Sequence, residues 1–287
     1  MKERNVDKTN QIERGIIMKR IITGFAIMLV LIAALPSFSQ SPDAKSLVRE
    51  MKDVLEPSRT SVRSLDLIST NAQGERVTLS LLQANKKLAD GKRMLIRTPS
   101  EVGNVVYLFW ERENRQLPVY EYLTPLRRVK ELSGIVASYD SFYTTDFTYA
   151  DLGFIPVQEG YQVLGEEQYK GVRAYKIEET ISKEKPYYSR IITWIAADTK
   201  LPLERDYYDI AGELWKRELF TDIAIVDGIP TPMDIVMKDV QHGSMTELKV
   251  TSIKNDVKIP DELFMHEYLA KALDAPIWGE LINVKEK

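Results

Sequence analysis

The stretch DGKRMLIRT, residues 90–98, decides how this chain folds. Asp90-Gly91 is a turn dipeptide, and beyond it Met94 and Ile96 alternate with Arg93 and Arg97. A period of two with one apolar set marks a strand that buries one face and wets the other. Working outward, the same reading fits SLDLIST, RVTLSLL, NVVYLFW, PVYEYL, YQVLGEE, RAYKIEET, SRIITWIA, PLERDYY, ELWKRELFTDIAIV, TPMDIVMKDV and MTELKVTSI. Turn residues separate them at Asn71-Ala72-Gln73-Gly74, Glu113-Asn114, Tyr169-Lys170-Gly171, Ala211-Gly212, Asp227-Gly228 and His242-Gly243. Connections this short predict an antiparallel meander of about eleven or twelve strands.

One helix precedes the strands. Ser41 can cap it, Pro42 suits its first position, and Ala44, Leu47, Val48, Met51, Val54 and Leu55 share a face before Glu56-Pro57-Ser58 ends it. A short helical tail is expected over residues 261–273. A sheet with one apolar face must curl and lay helices across its opening. The fold class predicted is therefore mainly β (α+β): a strongly curved antiparallel half-barrel with a few helices covering the concave face. Such a shape can keep an apolar cavity.

The run IITGFAIMLVLIAAL, residues 21–35, is uncharged, follows Lys19-Arg20 and precedes Pro36 and the small-x-small triplet Ser37-Phe38-Ser39. That is the layout of a secretory signal peptide, and fifteen apolar residues are few for a span needing about 20. Residues 1–39 read as an extension plus signal, with translation starting at Met18, and residues 40–287 as a single domain with no linker or repeat. Without residues 1–39 the chain keeps 33 basic against 39 acidic residues, a net charge of −6 that gives nucleic acid no footprint. Zero cysteines exclude disulfides and a lipid-modified cysteine after the signal.

Catalytic signatures are missing. His242 lies in a polar turn and His266 on the tail among Phe264, Tyr268 and Leu269, and no G-x-S-x-G, H-E-x-x-H or P-loop pattern occurs. The stretch DSFYTTDFTYADLGF, residues 140–154, does carry three carboxylates and five rings. Asp140, Asp146 and Asp151 are spaced six and five apart, unlike the close oxygen ligands of a calcium loop, so neither metal nor acid–base work is favoured and no cofactor is implied. Phe142, Tyr143, Phe147, Tyr149 and Phe154 are more informative. Rings this dense in a connection are packed against something apolar, either the core or a ligand.

Those residues carry a resemblance. GKRMLIRTPSEVGNVVYLFW with Pro99 and Gly103, VYEYLTPLRRVKEL with Arg127-Arg128, and SYDSFYTTDFTYADLGF with Ser141-Phe142, Asp146-Phe147, Tyr149 and Asp151-Leu152 are similar to the LolA-like family of outer-membrane lipoprotein-sorting proteins. GIPTPMDIVMKDVQHGSMTELKVTSIK and IPDELF extend the likeness towards the C-terminus, and Leu123-Thr124-Pro125 departs from it by one extra residue.

The resemblance implies a half-open barrel with a helical lid whose concave side receives acyl chains, and no enzyme. The function expected is a periplasmic carrier of a lipoprotein or lipid moving toward the outer membrane, with an inner-membrane transporter as partner and transient contact with a membrane surface. Lining candidates are Leu65, Leu67, Leu79, Leu81, Met94, Ile96, Leu108, Trp110, Trp194, Met233, Ile235 and Met237, with Phe142 and Phe147 in a loop that closes the mouth. Arg127 and Arg128 are candidates for a head group or a partner, against the plainer reading of a solvated strand edge. Two other classes stand beside the carrier. One is a non-catalytic interaction module of an envelope export or signalling complex, which predicts a filled core; the other is a lipid-directed enzyme using Asp146 or His242.

Overall fold

The computed structural model describes residues 42–55, 59–111, 119–132, 139–152, 158–181 and 188–284. The expected signal, Ser41, Glu56-Pro57-Ser58, the Glu113-Asn114 turn and Phe154 lie outside the described residues.

Helix α1 (Ala44–Leu55) is capped by Asp43, two residues beyond the expected Ser41. The Asp43 carboxylate accepts the Ser46 backbone N–H at 2.9 Å and the Ser46 hydroxyl at 2.8 Å, bonds that hold this carboxyl below the usual range. The stripe Ala44, Leu47, Val48 and Met51 is buried as its spacing predicts, against Ile177 and Ile195.

The strands are β1 (Ser61–Thr70), β2 (Arg76–Leu88), β3 (Gly91–Arg97), β4 (Val106–Glu111), β5 (Val119–Leu123), β6 (Arg128–Leu132), β7 (Gln158–Tyr169), β8 (Val172–Ile181), β9 (Arg190–Ala196), β10 (Pro202–Tyr208), β11 (Leu214–Val226), β12 (Ile229–Asp239) and β13 (Ser244–Asn255). They form one antiparallel sheet in the order β6-β5-β4-β3-β2-β1-β13-β12-β11-β10-β9-β8-β7. Two meanders thus meet at the β1–β13 pair, where Leu67 faces Leu248, and the sheet is left open with β6 and β7 at its edges. The strand beyond the expected twelve is β6. Its sequence RVKEL has no apolar alternation, because a polar edge strand buries little and resists pairing with another chain.

Alternation sorts the side chains onto two faces. The inner face gathers Leu65, Leu67, Leu79, Leu81, Met94, Ile96, Tyr107, Ile191, Tyr207 and Met237 into one cluster. Eight strand intervals separate β4 from β9, about 38 Å if the sheet were flat. Contributions from both to one cluster require the sheet to curl, and register shifts in β1, β10 and β11 mark where it bends.

The expected tail helix is instead a chain of short turns on the other side of the sheet. Residues Asp261–Phe264 and His266–Tyr268 are 3-10 turns, followed by α3 (Leu269–Leu273) and a longer 3-10 run, Pro276–Val284. Met265, extended at φ −109° and ψ 137°, breaks the periodicity. This tail buries Phe264, Leu269, Leu273 and Trp278 against Val62, Ala84, Leu95, Val106 and Leu108 on the outer face, so it does not cover the inner one as predicted.

Candidate functional site

The inner face is covered in part by α1, which packs on Ile177 and Ile195 as a helix on the concave side was expected to, and in part by the connection between β6 and β7. A segment joining the two free edges of an open sheet has to cross its mouth, and residues 139–152 do so. Phe142 N–H donates to the Phe147 carbonyl at 2.8 Å, and the Thr145 hydroxyl donates to the Phe142 carbonyl at 2.7 Å, closing a tight loop with Tyr143 at φ 54°. A helical turn, α2 (Tyr149–Leu152), follows. Thr148 and Asp151 cap it reciprocally: Thr148 N–H donates to Asp151 Oδ2 at 2.9 Å, and Asp151 N–H to Thr148 Oγ1 at 3.1 Å.

This fold drives the rings inward. Phe142 is 0% exposed, Tyr139 and Phe147 are buried, and Phe142 meets Tyr107, Tyr143 and Tyr149 edge-on at 5.4, 4.9 and 5.3 Å. The Tyr107 hydroxyl donates to that of Tyr143 at 3.2 Å, and burial pushes the Tyr107 phenol far above its ordinary range. We call residues 139–152 the plug.

Two of the three carboxylates in the stretch hold the plug in place. The hydroxyls of Ser244 and Thr246 on β13 donate to Asp146 Oδ1 and Oδ2 at 2.5 and 2.7 Å. Lys216 on β11 donates to the Asp146 carbonyl at 2.7 Å and pairs with Asp151 Oδ2 at 3.4 Å, while the Tyr188 hydroxyl donates to Asp151 at 3.1 Å. The Lys216 and Asp151 side chains are only 3% and 1% exposed. A charge pair this deep is costly to make and worse to halve, since removing one partner leaves the other charge buried alone at about 3–5 kcal/mol. Asp140 is exposed. Among the described residues no group of three or more potential metal ligands forms.

The structure brings eleven of the fourteen expected lining residues together. Leu65, Leu67, Leu79, Leu81, Met94, Ile96 and Met237 are buried with Phe142 and Phe147, and Met233 and Ile235 pack partly against them. The other three are on the outer face. Leu108 belongs to the tail's cluster with Trp110, whose ring carries the Arg93 guanidinium at 3.9 Å. Trp194 stacks on Tyr169 at 4.9 Å and donates from its indole to Glu167 at 2.6 Å. Strand register is the reason. Met94 faces Phe109 and Ile96 faces Tyr107 across β3–β4, so even numbers on β3 share a side with odd numbers on β4. Arg127 closes the turn before β6 and Arg128 starts that edge strand, both exposed, where a solvated edge was the plainer reading.

The histidines have structural surroundings. Asp239 accepts the backbone N–H groups of Gln241 and His242, the Trp215 indole at 2.9 Å and the His242 ring at 2.9 Å, which organises the β12–β13 turn. Burial alone would raise the Asp239 carboxyl, but the bonds from His242 and Trp215 hold it below its ordinary range. His242 is 72% exposed, and His266, within the tail, stacks on Tyr120 at 4.7 Å.

The mouth is not wholly closed. A cavity of about 90 Å³ remains at the end of the sheet where β1 and β3 begin and β2 and β13 end. Met94, Leu152 at the end of the plug, and Ile229 form its apolar side; Ser61, Gln83 and Asn85 form its polar side.

A family model described only as that of an uncharacterized protein matches residues 89–271. No curated protein matches the chain. Solved structures share the fold: a DUF1329 family protein from Desulfovibrio piger is 27% identical with a TM-score of 0.72, over 79% of this chain and 97% of that one. An outer membrane lipoprotein-sorting protein domain from Vibrio parahaemolyticus is 22% identical with a TM-score of 0.72, over 79% and 99%. A LolA superfamily protein from Nitrosomonas europaea is 17% identical with a TM-score of 0.64, over 79% and 100%. The last two establish the fold and nothing finer.

Proposed function

This chain belongs to the DUF1329 family and has a LolA-type fold, and from that premise we propose that it is a non-catalytic, exported carrier for the acyl chains of a lipid or lipoprotein. The observation that carries the reading is that the inner apolar cluster is completed by the plug, a short segment fixed by polar contacts. Leu65, Leu67, Leu79, Leu81, Met94, Ile96, Met233, Ile235 and Met237 form the surface that an acyl chain occupies once Phe142 and Phe147 withdraw. The energies are commensurate. Two buried Phe side chains are worth roughly 3–6 kcal/mol, and an acyl chain returns about 0.8 kcal/mol per methylene, so about eight buried methylenes offset both rings. Near-balance is what a carrier needs, because cargo held too firmly is not released. Methionines at 94, 233 and 237 accommodate chains of imprecise shape.

Periplasmic residence, loading by an inner-membrane transporter and transient contact with a membrane surface belong to this proposal. The filled inner face favours a second reading, an interaction module of an envelope complex that uses the same fold without cargo.

Mass spectrometry of organic extracts from protein purified without detergent separates the two. A carrier yields stoichiometric lipid or acylated peptide from wild type and from Trp110→Ala, altered on the outer face, and none from Met94→Asp. A folded wild-type protein that stays empty after exposure to lipid vesicles supports the interaction module instead.

A further inference from the structure

The inner face is not apolar throughout. Its β1–β3 part carries Leu65, Leu67, Leu79, Leu81, Met94 and Ile96, whereas β8–β11 bring ionic side chains into the same layer. Glu179 on β8, Thr193 on β9, Arg205 on β10 and Glu218 on β11 stand on this face by register. Glu179 lies opposite the inner residue Ile191, Thr193 opposite Arg205, Arg205 opposite Glu218, and Glu218 opposite the inner residue Met237. The Thr193 hydroxyl donates to Glu179 at 3.2 Å, and Arg205 Nη1 donates to Glu218 at 3.1 Å. Glu179 is 4% exposed and Glu218 6%.

A buried ionic row is a poor way to close a core. Charges taken out of water recover their hydration only in part, and apolar residues of like volume in their place are often neutral or stabilising. One contact of the row is also badly matched: Arg205 Nη2 is directed at the thioether sulfur of Met51 on α1 at 3.9 Å, and a thioether is a weak acceptor. A carbonyl oxygen in the place of that sulfur is a better partner for a guanidinium N–H. At its other end the row reaches the plug. Tyr207 donates to Glu218 at 2.7 Å and lies opposite Lys216, the anchor of Asp151.

Resting on the carrier reading, we infer that Glu179, Arg205 and Glu218 receive the polar head of the cargo, an uncharged group that joins a carbonyl to a hydroxyl or an amide N–H. Arg205 donates to the carbonyl, and the carboxyls accept from the hydroxyl or the N–H. The ester and free hydroxyls of a glyceride have this chemistry, and so does the first amide of an acylated peptide. An anionic head is disfavoured, because burial already raises both carboxyls and a further negative charge beside them would raise them more. The cargo is thereby oriented, with its head between α1 and the plug and its chain running toward Met94 and Ile96.

The test uses the full chain and lauroyl amphiphiles below their micelle-forming concentrations. Wild type is expected to bind monolauroylglycerol or lauroylglycine amide about tenfold or more tighter than methyl laurate, which keeps the carbonyl and lacks a donor. The tighter of the two tells a glyceride from an acylated peptide. Glu179→Leu is expected to lose the preference while binding methyl laurate as wild type does, and Glu179→Gln, which keeps an acceptor, to retain most of it. A second measurement needs no variant: a diazirine at the glycerol end of monolauroylglycerol should crosslink to peptides of β8, β9 and β10, and one at the methyl end to peptides of β1–β3. Equal binding of all three amphiphiles, a preference that survives Glu179→Leu, or glycerol-end crosslinks confined to β1–β3 overturns the head site and leaves the carrier standing. Binding of none of the three overturns both.

Discussion

The tail covers the outer face of the sheet, the plug shares the inner face with α1, and the tail and the plug are built differently. On the outer face the tail contributes a continuous apolar layer, with Leu263, Phe264, Leu269, Leu273, Ile277, Trp278 and Leu281 all buried. On the inner face the plug contributes a few rings and is pinned by ionic and hydroxyl contacts through Asp146, Asp151, Lys216, Ser244 and Thr246. An apolar layer is lost only by unfolding. A polar latch can be exchanged for water or for another polar partner, and the carrier proposal takes the tail as fixed core and the plug as the cover that leaves.

The comparison can be broken by substitution. Phe264→Ala on the outer face should cost about 3–5 kcal/mol in chemical denaturation, and no added lipid should recover it. Lys216→Ala leaves the Asp151 charge buried alone and should cost a similar 3–5 kcal/mol, but here Lys216→Met with Asp151→Asn should recover most of the loss. If the double variant is as unstable as the single one, the latch is not electrostatic. Thr246→Val removes two contacts to Asp146 and should cost about 1–3 kcal/mol, read as faster hydrogen exchange in the plug with the tail unchanged.

A smaller effect concerns pH. Burial raises the Glu218 and Glu179 carboxyls on the inner side, Arg205 opposing the shift, while Tyr207 and Arg205 donate to Glu218 at 2.7 and 3.1 Å. A carboxyl raised on folding holds its proton in the folded state after the unfolded chain has released it. Its contribution is therefore present below the ordinary value of 4.5 and declines as pH rises from there towards the folded value, by at most about 1.4 kcal/mol per unit for each group. Glu218→Gln should flatten that slope in thermal melts. Smallest of all, Arg128→Ala on the edge strand should change stability by less than about 0.5 kcal/mol and leave ligand binding as it was.

Much of this was legible in the sequence. Period two gave twelve of the thirteen strands and the apolar set at 65, 67, 79, 81, 94 and 96, because each of those strands wets one face. The dense rings at 142 and 147 announced a packed segment. What was hidden depends on facts that are not local. β6 has no alternation to find, and β4 and β9 are buried on both faces, so Leu108, Trp110 and Trp194 gave no sign of which side they would take. Lys216 sits in the run LWKREL, where it looks like any solvated lysine; only the plug, some 70 residues earlier, makes it a buried anchor.

The most direct measurement is hydrogen exchange by mass spectrometry, with and without a long-chain lysophospholipid, comparing residues 139–152 with residues 261–284. If the plug is the removable cover, bound amphiphile makes the plug's amides exchange faster while the tail's protection stays as it was. Saturating lipid that leaves both segments equally protected would contradict it, and the plug would then be core like the tail.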